Sequence, residues 1–130
     1  MLPISVDAVV GVSRSGLLPA SIVATHLHLP MYSVSPAKGV LHLGTGLRLA
    51  GNDPDRRPRH VVVIDDTVCS GNAMNKARQI VGCAFPTIRI STACVYAHPV
   101  GAHIPDYFSD GDGKASFIKR IEPVTSKDAN

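Results

Sequence analysis

Tryptophan is absent, and only three tyrosines and three phenylalanines are present, so the interior of this chain has to be packed from aliphatic side chains. No run of eighteen apolar residues occurs, and a helix crossing a bilayer needs about that many. The N-terminus lacks the basic flank and apolar core of a secretion signal. Neither sign of charge dominates: thirteen Lys plus Arg stand against ten Asp plus Glu, a formal +3. That surplus is too mild to argue for nucleic acid by itself and is compatible with a phosphorylated small molecule. Cysteine is scarce. Cys69, Cys83 and Cys94 are odd in number and lack metal-type spacing, a pattern of reduced thiols in a cytoplasmic protein. The expectation is a cytoplasmic protein with no membrane partner.

What is present is an ordinary globular composition, 45% apolar and 18% charged, in 130 residues, a length suited to one domain spanning 1–130. "AVVGV" at 8–12 is a short β-branched run that ends in "SRSG", and 17–29 then shows mixed helical spacing with Pro19 in the tolerated first turn. Pro30 stops that helix, and 31–34 forms a second strand. Residues 35–59 hold four Gly and three Pro and are read as a long loop, able to contain a hairpin or to act as a mobile flap. A third strand over 60–64, a helix over 72–81 and a fourth strand over 87–96 follow. Residues 106–108 form a short fifth strand and 115–121 a sixth element at the sheet edge, within a C-terminal segment of about 109–130. Strands alternating with helices predict an α/β fold: a three-layer, Rossmann-like parallel sheet flanked by helices.

In such a sheet, ligands sit beyond the carboxyl ends of the strands, where loops lead into helix N-termini. Both "SRSG" and "DDTVCSG" occupy that position, which suits a substrate with two phosphate groups. In the second loop, residues 70–73 can curl as a nest of backbone donors that the helix dipole supports. Asp65 and Asp66 stand just before it and would repel a bare phosphate. Carboxylates so placed hold sugar hydroxyls or a Mg²⁺ ion.

"VVVIDDTVCSG" at 61–71 resembles the phosphoribosyl-diphosphate (PRPP) binding signature of the type I phosphoribosyltransferases. "VVGVSRSGLLPASIVA" at 9–24 is similar to their pyrophosphate loop and following helix, especially the form found in xanthine-guanine enzymes. "ACVYAHPVGAHIPDYF" at 93–108 is similar to their later strand and the segment near the base pocket. The resemblance implies that Asp65 and Asp66 hold the ribose hydroxyls, directly or through Mg²⁺, and are catalytic together with Arg14. It implies that Thr67, Cys69, Ser70, Gly71, Asn72, Ala73 and Met74 hold the 5-phosphate. It assigns the pyrophosphate to Ser13, Arg14, Ser15 and Gly16, with Arg14 as charge-matching donor. It also makes the Ser13–Arg14 peptide a candidate for a non-proline cis bond.

The implied reaction is transfer of the phosphoribosyl group from PRPP to a nitrogenous base, a 6-oxopurine before orotate, with release of pyrophosphate. Its oxocarbenium-like transition state has to be stabilised by neutralising the leaving group and excluding water. The loop over 35–59 is the candidate lid. The resemblance thus implies a magnesium-dependent transferase of nucleotide salvage and nucleoside metabolism, and a homodimer is the expectation that goes with it. Cys69 replaces an Asp common in purine enzymes, and is open to three readings: an isosteric neutral residue, a weak base, or packing, the last being favoured. Asn72 and Ala73 replace a Gly and a Thr of the usual loop, at the cost of one hydroxyl donor. For the base, Tyr107, Phe108, Lys114 and Phe117 are the candidates, although the three rings can equally be core. The chain starts almost directly at the first strand, which implies a phosphoribosyltransferase fold with a reduced hood.

Those departures motivate a second hypothesis, a non-catalytic module of the same fold that binds PRPP or a nucleotide as a regulator. A nucleic-acid-binding regulator ranks below both at this net charge. "SDGDGKASFIKRIE" begins like a calcium loop but has Ala115 where Gly is required and Ile121 where an acid is required. His26 and His28 are two apart on a helix and point to different faces, so they form no metal pair. "DRRPR" at 55–59 is basic but broken by proline and free of aromatic interleaving, and is read as a solvated loop.

Overall fold

The computed structural model describes residues 4–45, 58–68, 71–97, 107–108 and 121–123. Ten elements follow in order: β1 (Ile4–Val6), β2 (Ala8–Val12), α1 (Leu17–Leu27), β3 (Met31–Ser35), β4 (Gly39–Gly44), β5 (His60–Val68), α2 (Asn72–Ala84), β6 (Arg89–Ala97), β7 (Tyr107–Phe108) and β8 (Ile121–Pro123). Six strands form one sheet in the order β4-β3-β2-β5-β6-β7. All neighbours in it are parallel except β4, which turns back antiparallel along β3.

The centre of the sheet follows from the two most continuous apolar runs. Val9 and Val10 of β2 and Val61 to Ile64 of β5 have no exposed surface, as strands covered on both faces should. On one face Val9, Val62, Ile64 and Ala93 pack under Ala20, Val23, Ala24 and Leu27 of α1. On the other, Val10, Val61, Val63 and Cys94 pack under Met74, Ala77 and Val81 of α2. The result is the three-layer α/β arrangement expected from the sequence. Gly11 lets α1 approach, since a Cβ there would lie 2.9 Å from both Ala20 Cβ and Leu17 Cδ2.

The chain leaves β2 through α1 toward β3 and leaves β5 through α2 toward β6, in opposite directions along the sheet. β2 and β5 lie side by side, Gly11 opposite Ile64. The loops after these two strands therefore meet at the point where the winding reverses, where open α/β sheets place their ligands.

Several boundaries differ from expectation. α1 stops at Leu27 because His28 adopts a left-handed conformation (φ 58°) and its N–H and that of Leu29 fold back onto the last carbonyls. Of the two readings of 35–59, the described part bears out the hairpin, with bounds the sequence did not give: β4 at Gly39–Gly44 pairs antiparallel with β3, and 46–57 lies outside the described residues. β5 runs to Val68 instead of ending at Ile64, because β6 pairs with it as far as Ala97. Of the final segment only β8 is described, and it pairs in parallel not with the main sheet but with β1, a strand missed in the sequence, Ile4 opposite Ile121; the rest of the element expected over 115–121 lies outside the described residues. No helix among the described residues is long and apolar enough to cross a membrane.

Candidate active site

The acid pair lies within β5, one and two residues beyond the last wholly apolar position. Asp65 is 7% exposed, and its carboxylate accepts the Asp66 N–H at 2.8 Å. The Asp66 carboxylate accepts the Thr67 N–H at 2.8 Å. Burial pushes the Asp65 carboxyl up, and its hydrogen bond to the Asp66 carboxyl and the charge there add to that; the Asp66 N–H opposes them, leaving Asp65 at about 6. Burial also pushes Asp66 up, but hydrogen bonds from Asp65, the Ser15 hydroxyl and the Thr67 N–H outweigh it and lower Asp66 below the ordinary carboxylate value. Of the two adjacent acids, Asp65 thus holds its proton to the higher pH, as expected for one member of a close carboxylate pair.

The loop over 13–16 is fixed against this pair. The Ser13 N–H donates to Val34 O at 2.9 Å and the Gly16 N–H to Val12 O at 2.9 Å. The peptide between Ser13 and Arg14 is cis, at the bond the family resemblance singled out. Gly16 is buried with an ordinary φ of −68°, so its role is steric. A Cβ there would lie 2.6 Å from Val12 O, 2.7 Å from Ile64 O and 3.0 Å from Asp65 Cα. Only a residue without a side chain lets the loop rest on the backbone of the acid pair. Ser15, beside it, hydrogen-bonds Asp66, and the Arg14 side chain is exposed.

α2 supplies the third part. Gly71 precedes it at φ 91°, a left-handed conformation that glycine adopts without penalty, and the first-turn N–H groups at 72–74 have no intrahelical acceptor. Asn72 and Ala73 are exposed. The Met74 side chain is 1% exposed and belongs to the core under α2, so only its backbone faces the first turn's donors. Cys69 and Ser70 lie outside the described residues. Of the base-pocket candidates, Tyr107 and Phe108 form β7, opposite Ala93 and Cys94, and Cys94 is opposite Asp65; Lys114 and Phe117 lie outside the described residues.

Sequence reasoning passed over Arg78 of α2. Its Nη2 donates to Thr92 Oγ1 at 3.3 Å, and its Nε is buried without a partner. No spacing signal joins Arg78 to β6, because the contact exists only once α2 is laid on the sheet.

These parts have a counterpart among known proteins. A family model described as "Phosphoribosyl transferase domain" matches residues 2–127, and the chain belongs to that family. The fold is similar to a purine phosphoribosyltransferase from Pyrococcus horikoshii Ot3, at 24% identity and a TM-score of 0.55, over 80% of this chain and 68% of that one. It is similar to the xanthine-guanine-hypoxanthine phosphoribosyltransferase of Helicobacter pylori, at 18% identity and a TM-score of 0.57, over 91% and 74%. It is also similar to an orotate phosphoribosyltransferase from Aeropyrum pernix, at 20% identity and a TM-score of 0.54, over 92% of this chain and 57% of that one. Purine and orotate enzymes match about equally well, so the likeness establishes the type I fold and leaves the base open. Two described helices and the short β1–β8 ladder fit the reduced hood expected from the sequence.

Proposed function

We propose that the chain transfers the phosphoribosyl group of PRPP to a ring nitrogen of a base, a 6-oxopurine before orotate, and releases pyrophosphate. The observation that carries this is the pair Asp65 and Asp66, Asp65 buried and Asp66 partly exposed beside it, with the Gly16 backbone against that of Asp65 and the Ser15 hydroxyl on Asp66. Such a pair is poised to accept two sugar hydroxyls or a divalent cation. The donor set fits Mg²⁺: hard carboxylate oxygens, too few for an all-protein cage, as suits an ion that keeps waters and substrate oxygens. Asp65 and Asp66 would hold it, and it would neutralise pyrophosphate as the anomeric C–O bond breaks.

The chain's own residues supply the rest. The first-turn N–H groups at 72–74, with Ser70 and Gly71, receive the 5-phosphate at the positive end of the α2 dipole. Arg14 and the loop donors at 13–16 grip the pyrophosphate and balance charge as it leaves. The carboxylates fix the ribose through its hydroxyls, so that the anomeric carbon faces the base as the new C–N bond forms. Neither Cys83 nor Cys94 is in a disulfide, in keeping with the reduced cytoplasm in which we place the protein.

Mixing the protein with PRPP, Mg²⁺ and hypoxanthine, guanine, xanthine, adenine or orotate in turn, and following pyrophosphate release, tests this. Release with a 6-oxopurine is expected. PRPP binding without release for any base would favour the regulatory module that Asn72 and Ala73 in the phosphate loop suggest.

A further inference from the structure

At the opposite edge of the sheet, where the strands begin, a cleft of about 490 Å³ is lined by Pro58, Arg59, Phe85, Pro86, Thr87 and Arg89. Arg59 and Arg89 are both exposed. Their backbones are tied together, the Arg89 N–H donating to Arg59 O at 2.9 Å, so the two guanidinium groups start from neighbouring points. Neither has an acidic partner among the described residues. Asp7, the nearest buried acid, spends its carboxylate on the N–H groups of Arg59 and His60 at 2.9 to 3.1 Å. Two neighbouring cations without a counter-charge repel each other unless an anion lies between them.

The floor of the cleft is unusual in backbone as well as charge. Residues 85–88 form a turn closed by the Ile88 N–H on Phe85 O at 3.2 Å. Pro86 takes its second place and Thr87 its third, at φ 71°, where this turn type calls for glycine. A β-branched residue held in the left-handed region is strained, and such strain concentrates at functional sites. Phe85 lies in the wall, braced edge-on against Tyr32 with ring centroids 5.5 Å apart. The two prolines extend that apolar wall.

We infer that this cleft is a second ligand site, separate from the PRPP site, which takes a nucleoside 5-monophosphate with its phosphate on Arg59 and Arg89 and its base against Phe85 and Pro86. Its volume falls in the range of small-ligand pockets. Six residue steps along the chain from Arg59 to Asp65 separate it from the acid pair by roughly 20 Å. Binding here is therefore not part of the transfer chemistry. Phe85 and Tyr32 continue to His42 of β4, 5.0 Å from Tyr32, which gives the cleft a packed route to the strand that leads into 46–57.

The chain has no tryptophan, so Phe85→Trp places a single fluorophore in the cleft. Titration with AMP should change its emission saturably, the response should persist under saturating Mg²⁺ and PRPP, and Arg59→Gln with Arg89→Gln should weaken it about ten-fold or more. Calorimetry of AMP binding to the otherwise native chain, with and without the two arginine changes under saturating Mg²⁺ and PRPP, makes the same test without the tryptophan. Unchanged affinity in the double arginine variant, or loss of the response when PRPP is added, would overturn the assignment. Inorganic phosphate binding as tightly as AMP would overturn the role of the apolar wall. Because the readout is local to the cleft, the arginine dependence is decided whether or not PRPP binds at the acid pair.

Discussion

Asp7, just before β2, and Asp65, within β5, are both buried carboxyl groups, 2% and 7% exposed, yet they are employed differently. Asp7 sits where the chain turns from β1 to β2 and accepts three hydrogen bonds from two backbone N–H groups at the start of β5. Its charge is met by the protein. Asp65, at the far end of β5, meets one backbone N–H and a second acid. A buried carboxylate satisfied by backbone donors is a fastener, whereas one left against another carboxylate is held ready for something that is not part of the chain.

The difference can be broken from either side. Asp7→Ala should have the largest effect, leaving the Arg59 and His60 N–H groups without acceptors and costing about 3 kcal/mol of stability in denaturant titration, while the folded fraction keeps its PRPP affinity. Gly16→Ala should follow. Its methyl group meets two backbone oxygens that cannot step aside, so stability should fall by about 2 kcal/mol and PRPP affinity with it. A loss of stability with PRPP binding intact would mean that the loop does not position the ligand.

Asp65→Asn should do the reverse and stabilise the ligand-free protein at pH 7.5 by about 1–2 kcal/mol, at the expense of binding. In the folded chain Asp65 keeps its proton to about pH 6, whereas in the unfolded chain it releases it near pH 4. The folded state therefore binds more protons between those values, and this group's contribution to stability is lost as pH rises through about 6. Asp66, lowered, acts in the opposite sense and only below its ordinary range. Thermal unfolding of the native chain and the Asn variant from pH 4.5 to 7.5 should show the native midpoint fall relative to the variant. Parallel curves would contradict the raised Asp65 pKa. The smallest effect is expected at the cleft edge, where Thr87→Gly should relieve the left-handed strain and add up to about 1 kcal/mol while weakening AMP binding.

The sequence showed the acid pair, the small-residue loops and the parallel sheet because each rests on local signals: an apolar run, a glycine, a helix start. What it hid depends on partners far along the chain. β5 looked finished at Ile64 because Asp65 to Thr67 are polar, and only pairing with β6 extends it. The position of β4 was hidden in a stretch of glycines and prolines, read only as able to hold a hairpin, because its order derives from β3. Asp7 resembled any acid beside a strand, since the N–H groups that bury it are about fifty residues away. The contact of Ser15 with Asp66 was illegible for the same reason, although both residues were named for the site.

The account rests on the acid pair as the anchor of a PRPP site, and calorimetric titration with PRPP tests it most directly, with and without Mg²⁺, on the native chain and on Asp65→Asn with Asp66→Asn. Saturable binding that needs Mg²⁺, strengthens as pH rises through about 6, and disappears in the double variant while its unfolding midpoint does not fall is the predicted result. Full affinity in the double variant, or no binding to the native chain at millimolar PRPP, would contradict it.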